Sequence, residues 1–286
     1  MQPGRYEMPL RLRPPTRTGR CRFAASTAFG VAALLTVVSL VGLAFPGLYA
    51  RETDAWRAQA YAQDIVTSVV VVPWLVISAI WTLRGSRRGA MLLASALVYT
   101  AYAFAIYTFA VHFNNLFLVY CAGLGLSVFA LAGLAPGFFA AEARVQLDRH
   151  APCRLAGGWM MASAVVFAVL WLCEIVPAMI FGEPPSNLAN GPITNPLHVL
   201  DLSLALPFVF VSGLLLWRRR ESGYVLGTVW MGFCVLMNLN IGYLVITQWW
   251  HERAGDPALV YGFAVLISVS TVLYVLLLRS VRPRAA

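Results

Sequence analysis

Five ionisable side chains lie inside or at the ends of long apolar runs: Asp64, His112, Glu174, His198 and Asp201. Two amides, Asn238 and Asn240, lie in another such run. An ionisable group in a membrane span costs about 2.5–3.5 kcal/mol on insertion scales, so each of these needs a reason to be there. His198 and Asp201 are spaced i, i+3 and project from one face of a helix. That spacing suits a histidine held by a carboxylate, or two ligands of one divalent metal. With Asp64, His112 and Glu174 added, the set is rich in nitrogen and oxygen donors and compatible with zinc, copper or manganese. The same groups could instead relay protons.

Structural roles compete with each of these readings. Asp64 and Asp201 sit where helices are expected to start, and carboxylates there cap free N–H groups and meet the positive end of the helix dipole. His112 and His198 lie near the interface, where a partly wet imidazole is inexpensive. Asn238 and Asn240 are two apart and do not share a face, so one of them suits an interhelical hydrogen bond. Glu174 is the hardest to assign to structure alone. It lies about 12 Å deep, eight residues before Gly182 at about 1.5 Å per residue, and three residues before the kinking Pro177.

The elements that position these residues are membrane helices. The chain has 286 residues, 60% of them hydrophobic and 12% charged. A soluble domain is about 45–50% apolar and about 25% charged, so a soluble enzyme, a disordered chain and a disulfide scaffold are excluded. Runs long enough to cross a hydrocarbon core of about 30 Å fall at roughly 25–48, 61–83, 90–112, 116–139, 155–181, 197–217, 224–248 and 258–279. The expected fold is therefore all-α, a polytopic bundle of eight transmembrane helices. Residues 1–24 form an Arg-rich, disordered tail, 25–139 the first four helices, 155–279 the last four, and 280–286 a closing tail.

The net charge of +9 comes from 21 basic residues, all arginine, in clusters between apolar runs. This is not the stripe on a soluble domain that nucleic acid would need. Arginines crowd the N-terminal tail, the turns after the second, fourth and sixth spans, and the C-terminus. The remaining loops hold only Arg51, Arg57 and Arg253. The positive-inside rule then places both termini in the cytoplasm of a cell-membrane protein. It also puts all five candidate groups in the outer halves of the spans. The first span is read as a retained helix, since it is long for a signal peptide and Leu48-Tyr49-Ala50 lacks a small-x-small cleavage pattern. The five cysteines form no CxxC pair, and none falls in an outer loop, so no disulfide is expected.

Shifting the chain by 134 residues lays Pro73, Ser78, Arg84, Gly89 and Leu92 on Pro207, Ser212, Arg218, Gly223 and Leu226 without a gap. Four spans per half keep both halves in one orientation, so a duplication would be a 4+4 parallel repeat about an axis along the membrane normal. Pro in a span, Arg at its inner end and Gly in the turn are also common membrane features. No phosphate-binding loop, HExxH, GxSxG or dinucleotide fingerprint is present. Gly123 and Gly125 read as small-residue helix packing.

Asn195 to Pro207, running into Leu216-Trp-Arg-Arg-Arg220 and Gly223-Tyr-Val-Leu226, resembles a pattern in uncharacterised multipass membrane proteins of bacteria, actinobacteria especially. Gln63-Asp64 and His112-Phe-Asn114 resemble other parts of that pattern. The resemblance implies membrane placement and supplies no catalytic residues. The functional expectation is binding or transport of a small solute or ion through an outward-facing polar cavity formed by Asp64, His112, Glu174, His198 and Asp201. A membrane-embedded metal enzyme or redox factor, and a structural or sensory protein, are the alternatives.

Overall fold

The structure, a computed structural model, describes residues 17–139, 150–182, 194–252 and 256–281. Among these, eight helices are long and apolar enough to span a bilayer. They are α1 (Arg17–Ala44), α2 (Asp54–Leu83), α3 (Arg87–Ala110), α4 (Phe117–Phe139), α5 (Cys153–Phe181), α6 (Pro196–Trp217), α7 (Glu221–Glu252) and α8 (Pro257–Ser280). The protein is a polytopic membrane protein with an all-α bundle. Residues 17–24, expected in the tail, instead form the first turns of α1. The rest of both expected tails, residues 1–16 and 282–286, lies outside the described residues.

Local chemistry sets the helix ends. Thr53 caps α2 by accepting from the Trp56 N–H, so α2 starts seven residues before the expected 61. Asn195 caps α6 through the Leu197 N–H, with Pro196 in the first turn. Capping therefore explains neither Asp64, which lies ten residues inside α2, nor Asp201, since Asn195 holds that role.

Two spans carry the same irregularity. In α2 the turn Thr67–Val71 is a π-turn, and in α6 the turn Asp201–Ala205 is another. Pro73 and Pro207 follow them at equal spacing. A proline has no N–H and its ring crowds the carbonyl one turn back, and a widened turn accommodates both faults without breaking the helix. The correspondence continues downstream. Arg84, Gly85 and Ser86 donate N–H bonds to Ile80, Thr82 and Trp81, and Arg218, Arg219 and Arg220 do the same to Leu214, Leu216 and Leu215. Gly85 and Arg219 both take positive φ, 79° and 51°. A Cβ at Gly89 would strike Trp81 and Thr82, and one at Gly223 would strike Leu215 and Leu216. Each of these positions is displaced by the same 134 residues, so the α2–α3 and α6–α7 hairpins are structural repeats.

The halves meet along α3 and α7, with α2 also against α7 and α3 against the start of α6. Helix α3 is the centre of the bundle: 72% of its apolar window is buried, against 6% for α5 at the rim. Within the halves the likeness is partial. Helix α4 packs along α1, whereas α8 lies mainly against α7 and touches α5 sparsely. Backbones also approach closely between α5 and α6, where a Cβ on Gly157 would lie 2.5 Å from the Gly213 carbonyl oxygen. Gly123 fits the expected small-residue packing, since the Phe104 ring fills its side-chain space, but Gly125 faces open space.

Candidate functional site

The five ionisable groups expected in one cavity fall into separate arrangements. Asp64 is fully buried and accepts from two phenols, Tyr107 Oη at 2.7 Å and Tyr49 Oη at 2.9 Å. Tyr49 belongs to the turn after α1, and burial beside the Asp64 carboxyl pushes its phenol well above the ordinary 10.0. A Cβ on Gly42 would run into the Asp64 carboxyl, so the glycine is what lets α2 bring that group against α1. Asp64 thus ties α1, α2 and α3 together.

His112 follows the last turn of α3. Its backbone N–H donates to Glu52 Oε1 at 2.8 Å, and its Nδ1 lies 3.1 Å from the same oxygen. The Glu52 side chain is 5% exposed, while that of His112 is half exposed. Arg57 donates to the backbone carbonyls of Tyr49 and Glu52 and fixes the loop that carries Glu52.

Glu174 and His198 form a third arrangement, on α5 and α6. His198 Nε2 lies 3.4 Å from Glu174 Oε2, close enough for an ion pair but not aligned as a hydrogen bond. The Trp171 ring leans on the His198 imidazole at 4.7 Å between centroids. The same indole donates its Nε1–H to Asp201 Oδ2 at 2.9 Å, and Tyr102 Oη donates to Asp201 Oδ1 at 2.8 Å. His198 and Asp201, three residues apart, therefore share Trp171 but differ in their other polar partner, Glu174 for His198 and Tyr102 for Asp201. Among the described residues, no three His, Cys, Asp or Glu side chains gather as a metal site, and the expected five-ligand set does not form.

What does form is a cavity of about 240 Å³ between the two halves. Its walls come from α2, α3, α5, α6 and α7, and Glu52 sits at its end nearest the loops. Of the residues singled out in the sequence, Asp201 and Asn240 line it. Tyr107 and Glu52 also line it, so the Asp64 and His112 arrangements abut it through their partners. Glu174 and His198 do not line it, although His198 touches the lining residue Trp171. Two buried atoms of lining residues, Tyr99 Oη and Asn240 Oδ1, have no hydrogen-bond partner among the described residues.

A second cavity of about 60 Å³ lies deeper, toward the α6–α7 turn. Trp159, Ser163 and Phe167 of α5 and Asn238 of α7 line it. Asn238 and Trp159 both donate to Ser270 Oγ, at 3.3 and 3.0 Å, so Asn238 is the interhelical bridge expected of one of the two amides. The two cavities share one wall, made of Trp171, Asp201, Met237 and Ile241.

Sequence reasoning missed Glu52, Tyr102, Tyr107 and Trp171. A phenol or indole in a span reads as apolar bulk, yet its O–H or N–H needs a partner when buried, and a carboxyl at matching depth is the natural one. Pairing each deep acid with the aromatics of neighbouring spans could have found Tyr102 and Tyr107. No family model, curated protein or solved structure matches the chain.

Proposed function

We propose that the protein binds a small solute in the cavity between its halves and carries it across the membrane, with both termini in the cytoplasm. The observation that carries this reading is the pair of cavities in series, divided by the shared wall of Trp171, Asp201, Met237 and Ile241. The larger cavity lies toward the arginine-poor loops, the outer side under the positive-inside rule. The smaller one leads toward the arginine-rich turn after α6. An interface between parallel repeats is where transporters place their sites, and access alternates as one half rocks against the other. The π-turn at Asp201 supports the reading too, since it sets a carboxylate at the dividing wall and π-turns concentrate at functional sites.

Two single cysteines test the proposal, in a background with the five native cysteines replaced. Ala103→Cys lines the larger cavity and Ser163→Cys the smaller. A membrane-impermeant thiol reagent should modify Ala103→Cys from outside intact cells. Ser163→Cys should react only in inverted vesicles. Protection of Ala103→Cys from the outside reagent would overturn the outward-open site. Equal reaction of both cysteines from one side would indicate a pore and overturn alternating access.

A further inference from the structure

We infer that the ligand of the larger cavity is a small organic cation, an amine or quaternary ammonium compound with an apolar body. This rests on the proposed solute site and names what the site takes. The cavity carries acidic groups at two levels, Glu52 near the loops and Asp201 at the dividing wall. No arginine or histidine lines it among the described residues. The hydrogen-bond donors to Asp201, a phenol and an indole N–H, are neutral groups that orient a carboxylate, and His198, three residues away, acts on it only through space. A monovalent cation beside Asp201 is the natural complement in a dry interface.

The remaining walls select among cations. Trp56, Tyr99, Tyr102, Tyr107 and Trp171 present five aromatic rings to the space. Aromatic faces attract organic ammonium groups, by about 0.5–2 kcal/mol each depending on desolvation. A bare metal ion needs about six oxygen ligands at short range, whereas no three acidic, histidine or cysteine side chains converge here. Size agrees as well. A cavity of about 150 Å³ holds benzene, so this one has room for about ten non-hydrogen atoms.

Benzyltrimethylammonium, its neutral isostere neopentylbenzene and the anion phenylacetate form a matched set of probes. Binding to the full-length purified protein in nanodiscs is followed by tryptophan fluorescence and calorimetry. The cation should bind at least about ten-fold more tightly than the neutral isostere, and the anion should not bind. Asp201→Asn should weaken the cation at least about ten-fold and leave neopentylbenzene unchanged. Glu52→Gln provides a second acid variant should Asp201→Asn fail to fold, and it should weaken the cation alone. Equal binding of the cation and the neutral isostere would overturn the charge assignment while leaving the solute site standing. Failure of the cation to bind, with Ala103→Cys still reactive from outside, would overturn the ligand class but not the site. Failure of both measurements would remove the site itself.

Discussion

Replacing the two phenols that hold Asp64 should separate architecture from ligand binding. The Asp64 carboxyl has no exposure and accepts at 2.7 Å from Tyr107 and at 2.9 Å from Tyr49. Tyr→Phe at either position deletes one donor and keeps the ring. A hydrogen bond to a charged group contributes about 1.5–3 kcal/mol in proteins. Interhelical hydrogen bonds in membranes average nearer 0.6 kcal/mol, with a maximum of about 1.7. The two ranges meet near 1.5 kcal/mol, about a ten-fold rise in the unfolding constant for each variant. Each single variant leaves one donor in place, whereas the double variant leaves the buried carboxyl with none. The double loss should therefore exceed the sum of the singles, so the cycle should show coupling of about 0.5 kcal/mol or more. Equilibrium unfolding in mixed micelles measures all four proteins. Ligand binding to Tyr49→Phe should stay unchanged, because Tyr49 does not line the cavity. Both single losses below about 0.3 kcal/mol would refute the claim that these hydroxyls hold Asp64.

Three further outcomes are expected. Gly42→Ala drives a methyl group into the Asp64 carboxyl and should destabilise by about 1–3 kcal/mol, read by the same unfolding assay. Gly213→Leu must separate α5 from α6, since even a Cβ would lie 2.8 Å from the Gly157 carbonyl oxygen; it should abolish folded expression, seen as loss of the monodisperse chromatography peak. The phenol of Tyr49 is raised in the folded protein, so the folded state keeps its proton while the unfolded chain releases it. Stability from this group is complete below pH 10.0 and declines above it, by up to about 1.4 kcal/mol per pH unit. Tyr49→Phe should make that decline shallower, by up to the same slope, in unfolding measured from pH 9 to about pH 11.

The membrane architecture was legible because it rests on one-dimensional quantities. Apolar run length gave eight spans, and Pro73, Ser78, Arg84 and Gly89 at a constant offset from Pro207, Ser212, Arg218 and Gly223 marked a repeat that recurs as matching π-turns and turn hydrogen bonds. The convergence of the polar groups was not legible, because it depends on how each helix is rotated. A π-turn inserts an extra residue per turn, and one stands between the first and second halves of each of α2 and α6. The i, i+3 spacing of His198 and Asp201 suggested a carboxylate-held histidine or a shared metal, whereas His198 lies beside Glu174 and Asp201 accepts from Tyr102 and Trp171. What sequence could not show is that Trp171 touches both of them, its ring on His198 and its N–H on Asp201. Asp64 looked like a helix cap because the polar stretch from Asp54 to Gln59 hides the first turns of α2 from a hydropathy reading.

The solute proposed for the interface between the halves should lie against Asp201 and the aromatic lining of the larger cavity. An experimental density map of the protein in nanodiscs with benzyltrimethylammonium tests it most directly. Ligand density is expected within about 6 Å of the aromatic ring centres and beside the Asp201 carboxylate. A map with α3 and α7 packed shut at Ala103 and Asn240, the added compound lying elsewhere, would contradict it.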